Sequence, residues 1–254
     1  MTPLAEGALL RAATLAPAVP IDALAPGGLL VLVPHPDDET LGCGAALSAA
    51  VAAGRDAHVV VVTDGAGSHP RSRRWPRARV AAQRVRELRA ALDVLGEGRI
   101  THETLDRPDQ GSTTPSSPGM PACVARLATL MRRRGLRSIW TTWEGDPHPD
   151  HVDGARLAQA LGQAVRDPDG GTANVVRFPV WGRFVETDID RSRDELVRFV
   201  PEATWQGNKA RALACHRTQT TSLIDDDPDG FVMPLEMQRH FIEHDELFIR
   251  RRAS

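Results

Sequence analysis

Two short apolar runs, LLVLV at 29–33 and AHVVVVT at 57–63, limit what this chain can fold into more than any other feature. Short apolar runs without polar alternation suit strands buried on both faces. After each run the period changes. Residues 40–53 read as a helix closed by Gly54, and Pro76 to Leu95 carry Ala81, Val85, Leu88, Leu92 and Leu95 at helical spacing before Gly96. RITHETL, LRSIWTTW (136–143), NVVRFPVW and ELVRFVPE read as further strands, and 121–134, 151–165, 205–215 and 235–244 as helices. Such alternation predicts an α/β protein: a three-layer, Rossmann-like fold with a mainly parallel sheet. No repeat and no linker divides the 254 residues, so one domain spanning 1–254 is expected.

Ligands in such sheets bind beyond the carboxyl ends of the strands. Two polar clusters stand at those ends. The first run passes directly into PHPDDE, which places His35, Asp37 and Asp38 within four residues of a rigid strand end. Carboxylates this close repel one another, and a bound cation relieves the repulsion. A helix N-terminus also favours acids, which accounts for Asp38 and Glu39 but not for His35 or Pro36. The fourth strand ends in HPDH, with His148 and His151 three apart at a helix start and Asp150 between them. A polar turn capping that helix is the plainer reading of the second cluster alone. Together, two imidazoles and a carboxylate leave a position open for water, as in catalytic zinc sites.

PHPDDE and HPDH, with VVVTDGAGS, RVRELRAALDVLG and NKARALACHRTQ in the same order, resemble the LmbE/PIG-L family of zinc-dependent N-deacetylases across roughly residues 29–220. The resemblance implies removal of an N-acetyl group from an amino sugar or glycoconjugate by a zinc-bound water. It implies His35, Asp38 and His151 as metal ligands and Asp37 as general base. His148 would stabilise the oxyanion or protonate the leaving amine, and Asp150 would orient an imidazole. Arg84, Asp109 and His216 match positions near the substrate. Some relatives bring a tyrosine beside HPDH; this chain contains none, and Asp146 stands at about that place. Zinc is the implied cofactor, with iron(II) compatible with the same nitrogen and oxygen ligands. Amide hydrolysis on a non-sugar metabolite, or metal and sugar binding without turnover, are the alternatives.

Other features narrow the partners. A net charge of -2 gives no drive toward nucleic acid or an anionic membrane. No apolar run is long enough to insert into a bilayer. The three cysteines, Cys43, Cys123 and Cys215, are scattered as in a cytoplasmic protein, and the first twenty residues lack the basic start of a signal peptide. The arginine-rich stretch 69–89 reads as a solvated helix face behind a basic loop, with a grip on the substrate as second choice. DDDPDGFVMPLE (225–236) fits the calcium-loop pattern, but Pro234 and the absence of a preceding helix favour an acidic turn. Residues 106–121 read equally as a lid or as a tolerated insertion.

Overall fold

The computed structural model describes residues 5–109, 115–165 and 171–252. Its elements run α1 (Ala8–Ala13), α2 (Ile21–Leu24), β1 (Gly28–Val33), α3 (Asp38–Ala52), β2 (Ala57–Thr63), α4 (Arg77–Gly96), β3 (Thr101–Arg107), α5 (Met120–Arg134), β4 (Leu136–Thr142), α6 (Pro149–Ala164), β5 (Asn174–Phe178), β6 (Asp194–Phe199), α7 (Ala203–Leu213), α8 (Arg217–Thr220), α9 (Leu235–Glu243) and β7 (Glu246–Arg251). The seven strands form one sheet in the order β3-β2-β1-β4-β5-β7-β6. β1 to β5 are parallel, and β7 runs antiparallel to both β5 and β6.

The aliphatic runs behave as their composition requires. Leu29, Val31 and Val33 of β1, with Val59 and Val61 of β2, pack beneath α3 and α4. Leu30, Leu32, Val60 and Val62 point to the opposite core, shared with Leu127 and Met131 of α5 and Leu157 and Leu161 of α6. The sheet is therefore covered on both faces, giving the expected three layers. No helix among the described residues is long and apolar enough to cross a membrane.

Two details depart from the sequence expectation. α4 is rotated relative to its apolar stripe: Ala81 and Val85 are only half-buried, while Arg84 and Glu87 point inward. Glu87 accepts from the backbone and hydroxyl of Thr218, and Arg84 reaches the loop after β1. β7 was not expected, yet it joins β5 to β6. Residues 110–114, central to the lid reading, lie outside the described residues.

β7 also brings in Glu246, which is fully buried. α3 is interrupted at Cys43 (φ -144, ψ 18), and the amides of Ala45 and Ala46 donate to the two Glu246 oxygens at 2.8 Å each. Lys209 of α7 donates to the same carboxylate at 2.7 Å. Burial pushes the Lys209 ammonium below its ordinary pKa, while Glu246 pulls it back up. A carboxylate from the strand that joins β5 to β6 thus caps the second half of a central helix.

Candidate active site

β1 and β4 are hydrogen-bonded neighbours, and β3 and β2 lie on one side of the pair with β5 on the other. The chain order reverses between them, which opens a crevice at their carboxyl ends. PHPDDE leaves β1 and HPDH leaves β4, so both clusters arrive at this crevice.

The loop after β1 is held at several points. Thr63 of β2 donates to Pro34 O through both its amide and its hydroxyl, at 2.9 Å each. Asp37 takes φ 147, a conformation costly for a residue with a side chain, and one that clusters at functional sites. Arg84 stabilises it, donating to Gly65 O (2.6 Å), Pro36 O (2.9 Å) and Asp37 Oδ2 (3.0 Å). The Asp37 amide donates to Glu39, whose carboxylate also accepts from Thr40. Burial raises the Asp37 carboxyl to about 6, with Arg84 partly opposing it.

His35, Asp38, His148 and His151 converge across the crevice. The Asp38 carboxylate sits between two imidazoles: Oδ2 is 3.3 Å from His35 Nδ1, and Oδ1 is 3.3 Å from His151 Nε2. The His148 ring lies 4.7 Å from that of His35 and 5.1 Å from that of His151. Among the described residues, His35, His148 and His151 offer ligand atoms within 4.8 Å of one another, as do His35, Asp109 and Asp150. Burial disfavours charge on Asp38, but the neighbouring histidines hold its carboxyl well below the usual range. Burial likewise opposes charge on His35 and His151, and their carboxylate partners outweigh it, lifting His151 to about 9.

The donor set fits a divalent ion. His151 is fully buried, and its Nε2 has no hydrogen-bond partner although it faces Asp38. A buried nitrogen without a proton partner is costly unless something else satisfies it. Outer contacts fix the rings as metal-facing histidines require. His151 Nδ1 contacts Asp146 Oδ2 at 3.1 Å, and His35 Nε2 lies 3.2 Å from both Asp109 and Asp150.

The remaining expected residues take definite places. His148 Nδ1 accepts from the Asp150 amide at 3.2 Å, and the ring lines a cavity of about 610 Å³. Burial and the neighbouring His35 and His151 lower its pKa. Arg84 and Asp109 also line the cavity, but the two terminal nitrogens of Arg84 and both carboxylate oxygens of Asp109 are engaged with the protein: Asp109 contacts His35 and accepts from Gly67 N at 2.7 Å. His216 is buried behind Asp37, 3.3 Å from the Thr40 hydroxyl and 3.5 Å from Glu39. Burial disfavours its charged form, and Glu39 more than compensates, raising its pKa.

Asp146 is the residue the sequence reading undervalued. It does not stand in for a tyrosine as a donor; it accepts from His151, Val180 N (2.8 Å) and Gly182 N (2.5 Å). Its signal was its place two residues before His148, in the turn that follows β4. The acidic turn and the basic loop, read separately, pair with each other. Asp226 accepts from Ser72 and the amides of Arg73 and Arg74, Asp227 from the Arg71 amide, and Asp225 and Asp229 pair with Arg74 and Arg71. With those carboxylates committed, calcium is expected to leave Tm unchanged in a thermal melt; a saturable rise would restore the calcium-loop reading.

Comparison with known proteins adds a family match. A profile described as PIG-L, GlcNAc-PI de-N-acetylase, matches residues 30–161. A 1D-myo-inositol 2-acetamido-2-deoxy-alpha-D-glucopyranoside deacetylase of Rhodococcus opacus (strain B4) is 28% identical over 165 residues, which cover 56% of this chain and 56% of the relative. The match thus spans little more than half of that protein's length. Among solved structures, a deacetylase of the teicoplanin biosynthetic pathway superposes with a TM-score of 0.62 at 16% identity, covering 89% of this chain and 99% of the other. The 4-carboxy-2-hydroxymuconate hydratase of Pseudomonas putida KT2440 gives a TM-score of 0.57 at 21% identity, covering 74% and 78%. Those two likenesses are of fold.

Proposed function

Since the chain belongs to the PIG-L family, GlcNAc-PI de-N-acetylase, we propose that it hydrolyses the N-acetyl group of an amino sugar or amino-sugar conjugate with a zinc ion held by His35, Asp38 and His151. The observation that carries this reading is the pairing of a strained, buried Asp37 with an unsatisfied His151 Nε2 across one crevice. A hydratase shares the fold, so the reaction must be argued from the site. A protein that only bound metal or sugar would have no use for a proton acceptor beside the ligands.

The ion would supply Lewis acidity, acidifying water and polarising the amide carbonyl. Asp37, with a carboxyl near 6, takes the proton of the attacking water. His148 is best suited to meet the charge on the carbonyl oxygen. Its Nδ1 accepts from the Asp150 amide, so the neutral ring carries its proton on Nε2 and can donate there. Its lowered pKa keeps it neutral near pH 7. Asp37 then returns its proton to the departing nitrogen as the carbon–nitrogen bond breaks, releasing acetate and a free amine. Asp146, Asp109 and Asp150 keep the rings in place, and Arg84 keeps Asp37 in its strained conformation.

The substrate class rests on the Rhodococcus relative's acetamido-glucopyranoside. Incubation with N-acetylglucosamine and its glycosides is expected to release free amine, to stop with a chelator, and to resume when zinc is restored. Failure to release amine from any N-acetylated sugar would remove the amino-sugar reading.

A further inference from the structure

Two aromatic rings outside the proposed chemistry line the same cavity. Trp181 and Phe231 both line it and meet edge to face, with centroids 5.7 Å apart at 83°. Each is firmly held. The amides on either side of Trp181 donate to Asp146, the same carboxylate that contacts His151, and the indole packs against Phe241. The Phe231 amide donates to Ser68 O at 2.8 Å, and its segment is tied to the arginine loop through Asp226 and Asp227. Phe231 nevertheless stays 37% exposed. A large ring kept open to solvent on a pinned segment is a preorganised apolar surface.

The lining of the same cavity is rich in carboxylates. Asp37, Asp38 and Asp109 face it, and Asp229 at its rim is paired with Arg71. Arg84 is the one arginine or lysine among the described lining residues, and both its terminal nitrogens are engaged by Gly65 O, Pro36 O and Asp37. Away from the proposed zinc position, a phosphate or carboxylate on the attached ring would meet carboxylates, with no arginine or lysine among the described lining residues whose terminal nitrogens are free.

Resting on the amino-sugar reading above, we propose that Trp181 and Phe231 form a subsite for the ring attached to the acylated sugar. That ring is neutral with an apolar face, as a second sugar or an aryl group is, and anionic conjugates are selected against. The test uses amines that cannot be turned over. Glucosamine, its phenyl glycoside, chitobiose and glucosamine 1-phosphate are titrated calorimetrically into the zinc-loaded protein. The phenyl glycoside or chitobiose should bind about tenfold more tightly than glucosamine, and the tighter of the two identifies the ring. Glucosamine 1-phosphate should bind no more tightly than glucosamine. Trp181→Ala should bring the ratio close to one. Phe231→Ala should lower it in the same direction, which covers the case of a Trp181 variant that fails to fold.

Tightest binding by the 1-phosphate, or a ratio that survives in both variants, overturns the subsite. A wild-type ratio near one does so too, whatever the amine-release result. Amine release from N-acetylglucosamine alongside such a ratio sinks the subsite alone. Absence of both release and binding sinks the amino-sugar reading with it.

Discussion

Asp37→Asn is expected to lower kcat by about 10²–10⁴-fold while zinc content stays at the wild-type value. The substitution keeps shape and most contacts. An asparagine oxygen can still accept from Arg84, and asparagine tolerates positive φ better than most residues, so the turn at φ 147 should survive. What disappears is the proton acceptor. Asp38, the adjacent carboxylate, sits between His35 and His151 and is held ionised there, so it cannot take over the task. Steady-state kinetics with metal analysis on the same preparation separates the outcomes. Turnover within a few-fold of wild type would remove Asp37 from the mechanism. Parallel loss of zinc would make it a ligand instead.

The second large effect concerns stability. Glu246→Ala should cost about 3–5 kcal/mol, because it leaves the Lys209 ammonium buried and unpaired. It also strips the Ala45 and Ala46 amides of their acceptor where α3 is interrupted. For a chain of this size, that loss corresponds to a fall in Tm of about 6–20 °C. Adding Lys209→Met to Glu246→Ala should recover part of the loss by removing the stranded charge. Recovery should stay incomplete, because the two amides remain unsatisfied. A thermal melt of Glu246→Ala within a degree or two of wild type would show that the carboxylate does not cap the helix.

What could be read from the sequence follows from how local its causes are. β1 and β2 were legible because a strand buried on both faces needs an aliphatic run, whatever its neighbours. His35, Asp38, His148 and His151 were legible because each pair lies within four residues at a strand end. Asp146 was harder to place, since its partners Val180 and Gly182 lie more than thirty residues away. The pairing of Asp225–Asp229 with Arg71–Arg74 spans still more chain, and each half alone resembled something else: a calcium loop and a basic surface. The rotation of α4 escaped for a related reason. Arg84 and Glu87 are buried because Asp37 and Thr218 receive them, and hydrophobic periodicity contains no record of either contact. β7 was missed because ELFIRR is short and carries charge at both ends, and it is stabilised by pairing between β5 and β6 rather than by its own pattern.

The central claim is that segments more than a hundred residues apart share one divalent ion. Zinc stoichiometry measured after dialysis against zinc-limited buffer addresses it directly, in wild type, Asp38→Ala and His151→Ala, each checked for a folded state by circular dichroism. The account predicts one zinc per wild-type chain and near-complete loss in each variant, although one substitution lies beside β1 and the other beside β4. Full retention of zinc by either folded variant would contradict it.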